Sequence, residues 1–188
     1  MTPRDQVRDI YPLSPMQLGM MFHSLGERGS GIYIEQLRYS FEGLDLERFR
    51  RAWEFVFRRH AVLRTSIVGT GRGEPGQAVR LDVAFPWREE DLRALPEDEQ
   101  AAWLESFLRE DSSRGFELSD PSLIRFTALR MSDRKVEVVW TLHHIVLDGW
   151  SGANCMREAF QVYDALGRGA EPNLPPVTPF RDYIVWLR

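Results

Sequence analysis

The first half of the chain alternates between segments with helical spacing of apolar residues and segments in which every second residue is apolar. A helix is predicted to begin at Ser14–Pro15, since Ser14 and Gln17 have capping-box spacing and proline suits the first helical position. Residues 33–43 carry apolar side chains on one parity and predict a strand. Asp45 is predicted to cap a second helix, and residues 63–68 to form a strand.

Glycine and proline residues separate the predicted helices and strands in the middle of the chain. The segment 69–76 has four glycines in eight residues but lacks the lysine and hydroxyl of a phosphate-binding loop, so it predicts a hairpin turn. The alternating segment 78–85 is then the returning strand. The charged run 88–100 is expected to be a solvated acidic face, and Pro96 to open a third helix.

The second half predicts a strand hairpin followed by helices. Residues 122–131 and 135–144 alternate in the manner of paired strands. A fourth helix is predicted over about 151–166, then a proline-rich connector over 171–179 and the start of a last helix. Interleaved helices and antiparallel hairpins indicate an α+β class, with an α/β sandwich of two layers.

Composition narrows the class of protein. The chain has 188 residues, of which 43% are hydrophobic, enough for one sizeable core. Its net charge of −4 gives no electrostatic reason to expect nucleic acid as a partner. The single cysteine, Cys155, excludes an intrachain disulfide. Without a signal peptide or an apolar run of about 18 residues, we expect a soluble cytoplasmic protein with no membrane contact.

The segment 141–152, TLHHIVLDGWSG, concentrates the candidate chemistry. In a regular strand His143 and His144 point to opposite faces, which counts against both binding one metal ion. A third ligand is also missing, because His23 and His60 lie far away in sequence. We therefore predict no metal site. Two hypotheses remain: histidines that only complete their hydrogen bonds at a strand end, or one histidine acting as a base in a cleft.

The residues after the histidines favour the second hypothesis. Asp148 offers an anion that either orients a histidine or holds the turn by pairing with an arginine, for which Arg64 is the candidate. Gly149 allows a sharp turn or a close backbone approach. Ser151 begins a helix whose amide dipoles favour negative charge, but it lacks the setting of a nucleophile.

Four segments together resemble a known family. HHIVLDGWS (143–151) is similar to the HHxxxDG signature of nonribosomal peptide synthetase condensation domains, members of the chloramphenicol acetyltransferase-like superfamily. YPLSPMQLGMMFHSL (11–25) resembles the opening motif of that family. RHAVLRTSI (59–67) resembles its RHxxLRTxF motif, with Ile67 in the phenylalanine position, and FRDYIVWL (180–187) its YxDYAVW motif.

The resemblance implies two similar lobes with a mixed, largely antiparallel sheet covered by helices, and a tunnel between the lobes. Residues 1–170 would be the N-terminal lobe, and residues 171–188 a connector toward a C-terminal lobe that this sequence lacks. His144 would be catalytic, with His143, Gly149, Trp150 and Ser151 in support. Asp148 would be structural and pair with Arg64.

The implied activity is peptide-bond formation between two thioester-bound substrates. An upstream donor and a downstream acceptor peptidyl carrier protein would present them on 4′-phosphopantetheine, next to an adenylation domain, with no cofactor bound directly. The isolated lobe is expected to be inactive. The alternatives are a related HHxxxDG acyltransferase or epimerization domain, and a carrier-binding module without chemistry.

Overall fold

The computed structural model describes residues 7–26, 31–69 and 74–188. Over these residues the strands are β1 (Val7–Pro12), β2 (Ile34–Glu42), β3 (Thr65–Val68), β4 (Gly76–Arg80), β5 (Trp87–Asp91), β6 (Ile124–Arg130) and β7 (Lys135–His143). The α-helices are α1 (Pro15–Gly26), α2 (Leu46–Arg59), α3 (Glu97–Arg114), α4 (Gly149–Gly167) and α5 (Phe180–Leu187), and residues Ala61–Arg64 form a 3₁₀ turn. The predicted α+β class is confirmed.

Four strands form the main sheet, in the order β2-β7-β6-β5. The predicted hairpin of β6 and β7 is present, and β2 pairs antiparallel with the other edge of β7 from Ile34↔His143 to Glu42↔Lys135. β7 is therefore a central strand, buried on both faces, as its long apolar run requires. Its last residue, His143, is at the end of the sheet from which the chain turns into α4.

Helices cover both faces of this sheet, so it is the middle of three layers and the predicted two-layer arrangement is wrong. Even-numbered residues of β7, such as Trp140 and Leu142, pack with Trp53 of α2 and Ala159 of α4 in the larger core. Val139, on the other parity, packs in a smaller cluster of apolar residues that includes α3. The alternation of β7 thus assigns each side chain to one of two layers.

A small second sheet, β1-β4-β3, stands beside the first, and α5 packs on it through Ile184. The capping box is present at its border: the Gln17 amide nitrogen donates to Ser14 Oγ (3.2 Å), and the Ser14 amide nitrogen donates to Gln17 Oε1 (2.9 Å). The predicted cap of α2 is confirmed as well, because Asp45 Oδ1 accepts from the Arg48 amide nitrogen at 3.0 Å.

Two predicted strands are shorter in the structure. The segment 63–68 begins as the 3₁₀ turn, and only Thr65–Val68 is strand, because pairing with β4 starts at Thr65↔Val79. The segment 78–85 is strand only to Arg80, and among the described residues the pairing of β4 reaches Val7↔Arg80 with β1 and Thr65↔Val79 with β3. Residues 70–73 of the predicted turn 69–76 lie outside the described residues.

Two strands were not predicted. β1 precedes the first helix and pairs with β4. β5, within the charged run 88–100, pairs in parallel with β6 at the edge of the main sheet. An edge strand tolerates charged side chains because one of its edges has no neighbouring strand and faces solvent. The charged residues of β5 therefore gave no strand pattern in the sequence.

Candidate functional site

The two histidines lie where β7 ends: His143 is its last residue, and His144 is the first residue of the turn to α4. The His144 amide nitrogen donates to the Tyr33 carbonyl (2.9 Å), which extends the β2–β7 pairing by one residue, and the Val146 amide nitrogen donates to the His143 carbonyl (3.1 Å). Gln17, buried in α1, donates from Nε2 to the Ile145 carbonyl at 2.9 Å. The turn is thus fixed by neighbours from β2 and α1.

His143 is buried and engaged at both ring nitrogens. Its Nδ1 accepts from the Ile145 amide nitrogen (3.0 Å), and its Nε2 lies 3.1 Å from Ser24 Oγ. Because a backbone amide can only donate, Nδ1 carries no proton, so a neutral ring has its proton on Nε2. Burial, and then the neighbouring His144, lower the pKa of His143 to about 4. The buried ring of His143 is therefore neutral at pH 7.

His144 has a different environment. Its Nδ1 lies 3.2 Å from the carbonyl oxygen of Leu147, so Nδ1 is the protonated nitrogen and donates. Its Nε2 lies 3.3 Å from Glu35 Oε2, and each of these two side chains is about one third exposed. The carbonyl fixes the tautomer and the ring, and Nε2 is the nitrogen left for outside partners.

Glu35 reaches His144 through the register of the sheet. It pairs with Leu142, two residues before His144, so the odd-numbered side chains of β2 share a face with the even-numbered ones of β7. Both side chains therefore lie on one face at the end of the sheet. This acidic neighbour was not predicted.

A cleft with a volume of about 1550 Å³ opens beside His144. It is bordered by β1, the start of α1, the turn after β7, the first turns of α4, and α5 with the segment before it, and its lining includes Tyr11, Met20, His144, Asp148, Cys155 and Tyr183. His143 does not line it. The prediction that the adjacent histidines face different surroundings is thereby confirmed.

Asp148 caps α4 and lines the same cleft. Its Oδ1 accepts from the Ser151 amide nitrogen at 2.7 Å, and this bond is the largest of the effects that lower the pKa of the Asp148 carboxyl. Ser151 also lines the cleft, whereas Trp150 is 84% exposed and does not.

Gly149 is the first residue of α4. Its φ lies outside the left-handed region that favours glycine. A Cβ added there would meet no atom within 4 Å, which leaves open space in front of the helix.

The predicted pairing of Asp148 with Arg64 is wrong. Arg64 is buried, and its guanidinium donates to three backbone carbonyls: Arg80 (2.5 Å), Arg58 (3.0 Å) and Phe57 (3.3 Å). Burial is the main cause that lowers the pKa of Arg64, followed by the charges of Arg8 and Arg58. Carbonyls engage all three guanidinium nitrogens of Arg64 and a helix amide engages the Asp148 carboxylate, so the two side chains have separate partners.

Metal-binding clusters and membrane-spanning helices are both absent from the described ranges. Within 7–26, 31–69 and 74–188, no group of three or more His, Cys, Asp or Glu side chains has an arrangement that could hold a metal ion. In the same ranges no helix is long and apolar enough to cross a membrane.

Comparison with known proteins decides the family. A family model described as the condensation domain matches residues 7–188. The chain belongs to the condensation-domain family. It is 41% identical over 183 residues to one of the linear gramicidin synthase proteins of Brevibacillus parabrevis and 38% identical over 188 residues to one of the plipastatin synthase proteins of Bacillus subtilis (strain 168). These alignments cover 97% and 100% of this chain, but only 4% and 7% of the relatives.

A solved structure shares the fold of this condensation-domain chain. It is a double mutant of the starter condensation domain of rhizomide synthetase, in complex with C8-CoA and Leu-SNAC. The TM-score is 0.81 at 20% identity, with 93% of this chain and 40% of that chain covered. The likeness to condensation domains confirms the predicted chloramphenicol acetyltransferase-like architecture.

Three further residues shape the site of this condensation-domain chain and were not predicted as site residues: Ser24, Leu147 and Glu35. The first two act through a hydroxyl and a backbone carbonyl, which no sequence pattern distinguishes. Glu35 did leave a signal, because it is the one charged residue among the odd-numbered positions 33–41 of an otherwise apolar row.

Proposed function

We propose that this chain supplies the catalytic-histidine lobe of a condensation domain that forms a peptide bond. The donor is an acyl or peptidyl thioester on an upstream carrier protein, and the acceptor is the α-amine of an aminoacyl thioester on a downstream one. The observation that carries the proposal is the contrast between the histidines. His144 lines the cleft with Nδ1 bound to a carbonyl, whereas His143 is buried with both nitrogens engaged.

His144 is proposed as the group that takes up the proton of the amine. With Nδ1 donating to Leu147, a neutral ring presents a lone pair at Nε2. The amine nitrogen attacks the thioester carbon, the carbonyl electrons move to oxygen, and the C–S bond then breaks. Nε2 accepts a proton from the attacking nitrogen and returns one to the departing sulfur.

The other residues of the HHxxxDG segment act on the scaffold in this proposal. Asp148 and Ser151 hold the first turn of α4 against the cleft, and Gly149 leaves the approach to it open. His143 fixes the turn by its bonds to Ile145 and Ser24. Trp150 is exposed, and in this proposal its ring faces a partner surface.

The substrates are proposed to arrive on 4′-phosphopantetheine arms of two carrier proteins, with no cofactor bound directly. The complex of the starter condensation domain of rhizomide synthetase with C8-CoA and Leu-SNAC supports this for that protein, since C8-CoA and Leu-SNAC are thioesters. In the proposal residues 1–170 are one lobe and 171–188 lead to a second one. A lobe without its partner lacks half of each substrate channel, so this chain alone is expected to be inactive.

The test is an assay of a complete condensation domain that contains this segment. A donor thioester is offered with an aminoacyl thioester and, separately, with the alcohol analogue of the same acceptor. Amide product from the amine, and none from the alcohol, supports the proposal. Ester product, inversion of the donor without condensation, or carrier binding without any product each contradict it in favour of a different activity.

A further inference from the structure

The Glu35 carboxylate lies beside the imidazole of His144, and His144 lines the cleft. Oε2 and Nε2 lie 3.3 Å apart, and both groups are partly open to solvent. Nδ1 of His144 already donates to Leu147, so a hydrogen bond from Nε2 to Glu35 requires the doubly protonated ring. With the neutral ring, Oε2 of Glu35 and Nε2 of His144 are two adjacent hydrogen-bond acceptors that face each other.

The titratable groups around this pair are neutral or already hydrogen-bonded. Asp148 and His143 interact electrostatically with His144, from the start of α4 and from β7. His143 stays neutral, because burial lowers its pKa to about 4, and Asp148 is committed to the amide of Ser151. On the β2 side, burial and then the charge of Glu35 raise the pKa of the Tyr39 hydroxyl, which keeps that hydroxyl neutral. Among the described residues, Glu35 is the only carboxylate with an ion pair to His144.

The substrate amine has two protons to lose, which suits a site with two adjacent proton-accepting groups. An α-amino group has a pKa of about 8 and enters mostly as an ammonium ion at neutral pH. To become an amide N–H it must lose two protons, one before and one after the attack. One of them ends on the sulfur of the released thiol, and the other leaves to solvent. A single imidazole serves one of these transfers at a time.

We propose that Glu35 binds the acceptor ammonium group together with His144 and takes its first proton. This inference rests on the proposed peptide-bond formation. The ammonium group donates to Oε2 of Glu35 and to Nε2 of the neutral His144 ring, and its first proton passes through the carboxylate to solvent. Neutral amine then attacks the thioester carbon as C–N forms and C–S breaks, and Nε2 moves the second proton to sulfur. Glu35 is thereby a substrate-binding and proton-accepting residue of the acceptor side.

The test compares Glu35→Gln with wild type in a complete condensation domain carrying this segment. With an aminoacyl N-acetylcysteamine thioester as acceptor, the KM for the acceptor is expected to rise about ten-fold or more, the usual effect of losing a hydrogen bond to a charged group. The KM for the donor thioester stays the same. The loss in kcat/KM is larger at pH 6 than at pH 9, where the amine enters neutral. Glu35→Asp restores part of the affinity.

The matched control is Glu42→Gln, which removes the same charge at the exposed far end of the same strand. It is expected to leave both KM values unchanged. An unchanged acceptor KM and pH profile in Glu35→Gln, with a His144→Ala variant inactive, would overturn the role of Glu35 and leave the proposed function standing. An active His144→Ala variant would instead overturn the proposed function. Equal losses for donor and acceptor would show a structural role and also overturn the inference.

Discussion

The Nδ1 of His144 donates to the backbone carbonyl of Leu147, three residues later in the same turn, at 3.2 Å. A backbone carbonyl cannot change its hydrogen-bonding character, so it fixes the tautomer of the ring whatever the sequence of residue 147. This arrangement differs from a triad, in which a carboxylate orients the histidine. Asp148, the nearby carboxylate, is used to cap α4 instead.

The capping role predicts how stability responds to changes at Asp148. Asp148→Ala is expected to lower the free energy of unfolding by about 1 kcal/mol, since it removes the side chain that accepts from the Ser151 amide. Asp148→Asn should stay within a few tenths of a kcal/mol of wild type, because asparagine caps helices about as well as aspartate. Urea unfolding measures both. A large loss in Asp148→Asn would indicate that the negative charge, rather than the cap, is needed.

The hydrogen bonds of Arg64 to three carbonyls predict a second effect on stability. Its guanidinium joins the last carbonyls of α2 to the end of β4, through three bonds that a lysine ammonium cannot make from one position. Arg64→Lys is expected to lower the free energy of unfolding by about 2 kcal/mol. The matched control is Arg58→Lys on α2, where an exposed ion pair with Glu54 contributes less than about 0.5 kcal/mol to stability. Equal effects of the two substitutions would contradict this role.

The absent ion pair between Arg64 and Asp148 gives a third prediction. The effects of Arg64→Lys and Asp148→Asn on the free energy of unfolding should add, within about 0.5 kcal/mol, because the two residues share no partner. A double variant no less stable than Arg64→Lys alone, after a destabilising Asp148→Asn, would restore the pairing that the family resemblance implied.

His143 makes the stability depend on pH. Its folded pKa of about 4 lies below the ordinary value of 6.5, so between these values the unfolded chain binds more protons than the folded one. Acid therefore favours unfolding as the pH falls from about 6.5 to 4. Between pH 7 and pH 5 this group alone should remove about 2 kcal/mol of stability.

Comparison with a variant isolates that contribution. His143→Gln should lose about 2 kcal/mol less than wild type over the same pH interval, although it is less stable at pH 7. A parallel curve for His143→Gln would show that folding does not change the pKa of His143, and would contradict this prediction.

Much of the fold was predictable because its signals are local. The capping box at Ser14 and Gln17, the cap at Asp45 and the alternation of β6 and β7 each lie within a few residues of one another. The parallel pairing of β5 with β6 and the end of β4 at Arg80 depend on which strands become neighbours in space. A single sequence does not carry that information for short or charged strands.

The site, like the fold, was predictable only where its signals are local in sequence. Parity along β7 separated His143 from His144, and the structure confirms that separation. The predicted partner of Arg64 was wrong, because an arginine beside a helix end can satisfy its donors with carbonyls that have no sequence signature. Glu35 stood out as a charge in an apolar row, but the register that brings it to His144 became visible only once β2 and β7 were paired.

The central claim is that Nε2 of His144 moves the proton in amide formation. The most direct measurement is the rate of amide product from a complete condensation domain carrying His144→Ala, with saturating donor and acceptor thioesters and the fold checked by its melting temperature. The proposal predicts a fall in kcat of about 100-fold or more, the usual contribution of a general base, with the melting temperature little changed. Turnover equal to wild type in a folded His144→Ala variant would contradict it.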